Sequence, residues 1–293
     1  MSSAIQIIPA SSKKFPSLLT KISDPPGQLY ARGNLDLLNH PHLLSVVGSR
    51  KASIYGKAAI SQLLPPFIQK GGVVVSGLAF GIDSLSHQAC TNLNSPTIAV
   101  LGSGIDDASI TPRSNLRLAL LILKENGLII SEYPAGTPAQ KFTFPARNRI
   151  IAGLSPATLI VQASLKSGSL ITARLALEYN RDVLAVPGPI TDPLSAGTNN
   201  LIQHGAAPIL TADNILSLYN MEAASSQATY PSAQLTTTQS LIISTLTTHP
   251  CDIDTISSKT NLTTQVVSPL LIELELLDLV EHVGHMQYVR KQM

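Results

Sequence analysis

The chain has 293 residues, 44% of them hydrophobic and 13% charged, with a formal net charge of +2. This length suggests one large domain plus something smaller, and the charged share is about half the roughly 25% typical of soluble proteins. The longest apolar candidate, Leu118 to Ile130, is broken by Lys124, Glu125, Asn126 and Gly127, so buried strands and helices are expected and a membrane span is not.

The start lacks a basic stretch followed by a sustained apolar core, which argues against a signal peptide. The two cysteines, Cys90 and Cys251, have no C-x-x-C spacing. Free thiols in a reducing cytoplasm are expected, and a metal site is not. Charge is unevenly distributed. Residues 1–140 carry 11 basic and 7 acidic groups, residues 141–181 carry 6 and 1, residues 182–235 carry 0 and 4, and residues 236–293 carry 3 and 6. The basic front of the chain fits a polyanionic partner.

Residues 1–42 read as an N-terminal extension, loop-like, with a turn at Pro25-Pro26-Gly27 and a short strand at Leu29–Ala31. From residue 43 an alternation begins. Strand candidates are Leu44–Val47, Val73–Val75, Thr97–Leu101, Leu128–Ile130, Thr158–Val161 and Val183–Val186, ending at Pro208–Leu210. Between them lie helix-length segments at Tyr55–Lys70, Asp83–Leu93, Ser114–Glu125 and Leu170–Tyr179. Strands alternating with helices predict an α/β doubly wound, mostly parallel, Rossmann-like sheet over residues 43–220. Such sheets bind ligands beyond the carboxyl ends of their strands.

Those ends share a composition. Val47 leads into Gly48-Ser49-Arg50-Lys51, Val75 into a loop from Ser76 to Asp83, Leu101 into Gly102-Ser103-Gly104, and Val161 towards Ser167-Gly168-Ser169. Glycine and serine leave backbone amides open to a phosphate. The stretch Lys141–Arg181 holds the charge: a loop with Lys141, Phe144, Arg147, Asn148 and Arg149, a helical step at Ile150–Gly153, the strand Thr158–Val161, and a helix bearing Thr172 and Arg174. A strand that feeds a small-residue turn and then a helix builds an anion site at the helix N-terminus. Phe144, between Lys141 and Arg147, either stacks on an unpaired base or packs beneath its loop.

Familiar catalytic and cofactor motifs are missing. No G-x-G-x-x-G follows the first strand, and there is no Walker A loop, H-E-x-x-H or G-x-S-x-G. No cofactor is expected. Asp83 reads as the N-cap of the helix after it, His87 as a hydrogen-bonded structural histidine, and Asp106-Asp107 as turn or cap residues. His282 and His285 have i, i+3 spacing but no further ligands, so a metal is not expected.

Residues 221–235 read as a linker, and residues 236–293 as a small domain of three helices and a hairpin. The helices are expected at Thr236–Thr248, Asp252–Lys259 and Thr263–Leu277, the last with an inward stripe of Val266, Val267, Leu270, Leu271 and Leu274. The hairpin is expected from Leu279–Val283 and Met286–Arg290 around Gly284-His285. This order suggests a winged helix, whose third helix often reads DNA. Here that helix has no Lys or Arg and carries Glu273, Glu275 and Asp278 near its end, so a protein-contact or regulatory role is expected instead.

Taken in order, VVGSRKASIYG, VVVSGLAFGIDSLSHQA, TIAVLGSGID, LIISEYPAGTPAQKFTFPARNRIIAGLS and SGSLITARLALEYNRDVLAVPGPITDPLSAGTNNLIQHGA resemble the DprA/Smf family, the bacterial DNA-processing proteins of natural transformation. The resemblance runs from about Phe15 to Leu210, and the tail is similar to that of many members. It implies an extended Rossmann fold, single-stranded DNA binding, protection of incoming DNA, homodimers, loading of the RecA recombinase, and no established catalysis. Carried over by position, the DNA pocket falls on Gly48, Ser49 and Arg50, on Lys141, Phe144, Arg147, Asn148 and Arg149, and on Ser167, Gly168, Ser169 and Thr172. Gln162 stands where members usually have Glu, and Thr111-Pro112 where Tyr-Pro is common. The N-terminal helical domain found in many members is not expected in this sequence.

A rival reading is a nucleoside monophosphate hydrolase of the lysine-decarboxylase-like subclass. Its P-G-G-x-G-T-x-x-E signature is absent; the comparable turn reads SGSLITARLALE, with Glu178 too far along to be placed by that motif. A dinucleotide-dependent oxidoreductase lacks its fingerprint altogether.

Overall fold

The computed structural model describes residues 4–221, 236–247, 250–276, 279–284 and 286–290. The chain forms two compact units, residues 1–223 and 224–293. Most of the stretch read as a linker, residues 222–235, lies outside the described residues.

In the first unit the order is β1 (Gln6–Pro9), β2 (Gln28–Gly33), β3 (Leu43–Val47), α1 (Ile54–Gln69), β4 (Val73–Ser76), α2 (Ile82–Asn92), β5 (Thr97–Val100) and α3 (Leu116–Lys124). It continues with β6 (Leu128–Ser131), α4 (Thr143–Leu154), β7 (Ala157–Ile160), α5 (Ser169–Glu178), β8 (Asp182–Ala185), α6 (Ala196–Gln203), β9 (Ala207–Pro208) and α7 (Ala212–Leu218). The strands form one nine-stranded sheet in the order β1-β2-β6-β5-β4-β3-β7-β8-β9. From β6 to β9 every pairing is parallel. β1 and β2 add antiparallel at the β6 side.

The apolar runs become strands buried on both faces, as parallel sheets require. Along β3, Leu43 and Val47 face a core that includes Ile150 and Ile151 of α4 and Ala173 of α5. Leu44 and Val46 face the opposite core, with Leu64 and Phe67 of α1. Ser45, the one polar residue of that strand, is fully buried and donates its hydroxyl to the Ile151 carbonyl at 2.7 Å. This bond fixes α4 against the sheet.

Three features differ from the pattern expected from the residues. The segment from Thr143 to Arg149 is helix rather than loop: α4 begins at Thr143. Pro145 marks that stretch as irregular, yet a proline in the first turn loses an N–H that has no helical partner anyway. Short α6 and α7 were not foreseen, because AGTNNLIQ and ADNILSL carry too few apolar residues to show a helical period. β1 is likewise new, and pairs Gln6–Pro9 with the β2 strand.

The second unit contains α8 (Thr237–Thr245), β10 (Cys251–Asp252), α9 (Ile253–Thr260), α10 (Thr264–Leu276), β11 (Val280–Gly284) and β12 (Gln287–Arg290). Its three strands are ordered β10-β12-β11. α8 starts in a capping box of Thr236 and Gln239. Ile243, Ile256, Val267, Leu271 and Leu274 form the core. Val267, Leu271 and Leu274 recur at i, i+4 and i+7, and this turns Val266 outwards to 44% exposure. Val266 therefore leaves the inward stripe. Thr248, Leu277 and the hairpin residue His285 lie outside the described residues.

Candidate functional site

The strand order reverses between β3 and β7. From β3 the chain lays down β4, β5 and β6 on one side, then returns to place β7, β8 and β9 on the other. In an open α/β sheet the crevice beyond the carboxyl ends at such a reversal is where ligands bind. The loops that leave β3 and β7 are the Gly48–Ser53 and Val161–Gly168 segments. A cleft of about 500 Å³ opens there.

Gly48, Ser49 and Arg50 line the cleft from the loop after β3. Lys141, Phe144, Arg147 and Asn148 line it from α4 and the residues before it. Ser167, Gly168, Ser169 and Thr172 close it from the start of α5. These eleven residues share one concavity, although the chain separates them by more than 100 positions. Arg149 stands apart. Phe144, Arg147, Asn148 and Ile151 share one helical face by their i, i+3, i+4 and i+7 spacing, while Arg149 is roughly 200° around the helix from Arg147. Its guanidinium pairs with both oxygens of Glu132 at 3.2 and 2.7 Å and with Asp24 at 3.0 Å. It ties the N-terminal extension to β6 and α4 instead of lining the cleft.

Gln162 connects the two loops of the reversal. Its backbone carbonyl accepts the Ser49 N–H at 2.7 Å. Its side chain accepts the Ser53 N–H at 3.0 Å and donates to the Ser53 hydroxyl at 2.8 Å. An amide both gives and accepts here, where a carboxylate could only accept. Opposite, α5 starts after Gly168; the Ser167 hydroxyl accepts the Ser169 N–H at 3.4 Å and the Ser167 and Gly168 carbonyls accept the Leu170 and Ile171 N–H groups at 3.1 Å, so the helix brings its partial positive charge to the cleft rather than a set of open amides. Gly168 has an ordinary helical backbone, and a Cβ added there would meet nothing within 4 Å. At the mouth, the exposed Arg50 guanidinium lies 5.3 Å from the centre of the Phe144 ring, within cation–π range.

Beneath the floor sits a buried polar cluster. Arg147 is only 4% exposed and donates to the Gly77 carbonyl at 2.6 Å and to the Val100 carbonyl. A Cβ at Gly77 would come within 2.2 Å of that guanidinium, so the glycine makes room for it. Burial lowers the Arg147 pKa to about 10, with Asp83 opposing the shift. Asp83 moves upwards through its own burial, which the charge of Arg147 partly offsets. Asp83 was expected to cap α2. It lies instead in the first turn of that helix, and its Oδ2 accepts the Gly77 N–H at 3.2 Å. His87 is fully buried, with Nδ1 2.9 Å from the Thr97 hydroxyl. That hydroxyl donates to the Val74 carbonyl at 2.7 Å, so Nδ1 carries the ring proton. Burial holds the His87 pKa at about 3.

The remaining cations of the basic stretch are arranged differently. Arg174 pairs with Glu178 at 3.5 Å across one turn of α5, and Arg181 donates to the Leu18 carbonyl at 3.0 Å. Glu178 is exposed at the far end of α5, about 13 Å along the axis from Ser169. Asp106 accepts the Gly136 N–H at 2.7 Å, whereas Asp107 forms an ion pair with Arg32 of β2 at 2.5 Å. Among the described residues no group of three or more His, Cys, Asp or Glu could hold a metal, and no helix is long and apolar enough to cross a membrane. Cys90 is buried and its thiol is pushed up to about 12. Phe142, just before α4, is a further aromatic side chain at the site. It is 65% exposed, and the signal for it is the aromatic doublet at positions 142 and 144.

The model of the family described as DNA recombination-mediator protein A matches residues 6–220, and that of the DprA winged helix domain matches residues 226–284. The chain is 46% identical over 211 residues to the DNA processing protein DprA of Bacillus subtilis strain 168, covering 72% of this chain and 70% of that protein. The X-ray structure of DNA processing protein A from Streptococcus pneumoniae superposes with a TM-score of 0.68 at 40% identity, over 73% of this chain and 74% of that one. The structure of DNA processing protein A from Helicobacter pylori, described for its single-stranded DNA binding mode, gives a TM-score of 0.66 at 33% identity. It covers 76% of this chain and 100% of that one.

Proposed function

The chain belongs to the DprA/Smf family of DNA recombination mediators, and from that premise we propose that it binds single-stranded DNA in the cleft between β3 and β7. The observation that carries this reading is the convergence of Gly48–Arg50, Lys141, Phe144 and the start of α5 on one concavity. The positive end of α5 suits phosphates, the small residues Gly48 and Gly168 allow close approach, and Arg50 and Lys141 add charge. Phe144 offers an aromatic face for a base. A base inside a duplex has both faces stacked and cannot use that ring. Phosphate and stacking contacts carry little sequence information, so affinity should be general among single strands.

Fluorescence titration of an oligothymidine at two salt concentrations tests this. We expect tight binding that weakens with salt, clear loss in Arg50→Ala, and a loss of about 1–3 kcal/mol in Phe144→Leu. Equal affinity for a duplex of the same length would overturn the reading. The same premise extends to protecting incoming DNA in natural transformation, to homodimers and to loading RecA on the bound strand. RecA assembly on a strand already coated by single-strand-binding protein, with and without this protein, tests the loading step. The protein acts here as a binder and not as an enzyme, which agrees with the position of Glu178 far from the cleft and paired to Arg174. Release of free base from AMP, lost in Glu178→Ala, would reverse that conclusion.

A further inference from the structure

The third helix of the second unit, α10, turns an apolar face outwards. Val267, Leu271 and Leu274 take its core side. Val266, Pro269 and Ile272 recur at i, i+3 and i+6 on the other side, where all three are exposed and Ile272 reaches 55%. A valine and an isoleucine kept in water on a regular helix present apolar surface for a partner to cover. Pro269 marks the same face. It has no N–H, so the Gln265 carbonyl loses its usual helical donor beside the stripe.

Carboxylates border this stripe. At roughly 100° per residue, Glu273 falls at the Val266 edge and Glu275 at the Ile272 edge. Both are exposed, and among the described residues neither forms an ion pair. The Glu273 carboxylate accepts the side-chain amide of Gln239 on α8 at 2.8 Å, which holds that edge in place. α10 has no Lys, Arg or His, and residues 236–293 carry 3 basic and 6 acidic groups.

We propose that this outward face of α10 docks a basic amphipathic helix of another protein. Its apolar side chains cover Val266, Pro269 and Ile272, and its lysines or arginines meet Glu273 and Glu275. Charge selects this occupant over two others. The phosphates of duplex DNA would face two carboxylates with no cation between them. A second copy of the chain, paired about a two-fold axis, would set acidic edge against acidic edge. The stripe runs about 9 Å along the helix axis, which matches apolar anchors at i, i+3 and i+7 of a partner helix. A contact of this size is transient. The proposal concerns a different surface from the DNA cleft and does not rest on the single-strand reading.

The probe is a fluorescent synthetic helix with leucines at i, i+3 and i+7 and lysines on both flanks, and its control carries glutamates in place of the lysines. Both are titrated against the full chain by anisotropy. The basic helix should bind, and the acidic one should bind more than about 10-fold more weakly. Ile272→Ser should weaken the basic helix by about 10-fold, as expected for one uncovered isoleucine. Glu275→Lys should weaken the basic helix and strengthen the acidic one. Glu178→Lys makes the same charge change in the first unit and should do neither. All three positions are exposed, so the melting midpoints should match wild type. Failure of folded wild type to bind the basic helix would overturn the proposal, as would wild-type affinity in Ile272→Ser. An equal loss in Glu178→Lys would reduce the attraction to net charge and overturn it too. Sedimentation and duplex titration cover the other occupants. A dimer that Ile272→Ser converts to monomer would assign the face to a second copy, and duplex binding lost in that variant would assign it to DNA; either result overturns the proposal. Oligothymidine affinity should be unchanged in Ile272→Ser, so the cleft reading stands or falls separately.

Discussion

Arg50 and Arg147 line the same cleft, but one is exposed and the other is 4% exposed with its N–H groups directed at two main-chain carbonyls. Removing a buried cation leaves its partners desolvated and unpaired. Arg147→Ala should therefore destabilise the fold by roughly 3–5 kcal/mol, read as a lower urea midpoint. Arg50→Ala should leave that midpoint unchanged and reduce the slope of log affinity against log salt by about 1, the signature of one lost phosphate contact. His87 makes a pH prediction. Its folded pKa of about 3 lies below the ordinary 6.5, so the unfolded chain binds the proton more readily between those values. The stability this gives is present above pH 6.5 and is lost as pH falls towards 3. Between pH 7.5 and 5 the protein should lose about 2 kcal/mol from this group. Urea unfolding at the two pH values checks this, and His87→Leu should flatten the difference.

At the scale of elements, α5 and α4 build the cleft in unlike ways. α5 contributes the positive end of its dipole, with Ser167 bonded to the Ser169 N–H, and the absence of a side chain at Gly168 leaves room there. Its backbone is already helical, so Gly168→Ala should raise the melting midpoint slightly, as alanine reduces the freedom of the unfolded chain. It should also weaken single-strand binding by placing a methyl group where a phosphate approaches. A variant that melts higher and binds as well as wild type would separate this turn from the ligand. The turn was readable from Ser167-Gly168-Ser169 following an apolar run, and the main sheet from six apolar segments spaced by helices. α4 was not readable at its start. Pro145 and the cluster of charge concealed the first helical turn, so Arg149 was grouped with Arg147 although the helix sends them to opposite sides. The role of Gln162 was also hidden, since its hydrogen bonds join loops more than 100 residues apart.

At the scale of the whole molecule, every proposed DNA contact belongs to the first unit, and the second unit carries more acidic than basic residues. Residues 1–221 alone should bind oligothymidine with the affinity and salt slope of the full chain. A reduced slope in the shortened protein would assign phosphate contacts to the second unit. The margins of the large sheet carry a further consequence. One outer strand, β1, spans four residues and ends in Pro9, and the other, β9, spans two and ends in Pro208. Short outer strands with a residue that lacks an N–H are poor templates for another strand. Two copies therefore cannot readily join their nine-stranded sheets edge to edge. Pairing of copies through the described residues of the first unit would instead rest on side chains of helices and loops. If two copies pair in that way, a substitution at the contact should abolish the pairing and leave oligothymidine binding unchanged, which gel filtration beside the fluorescence titration checks.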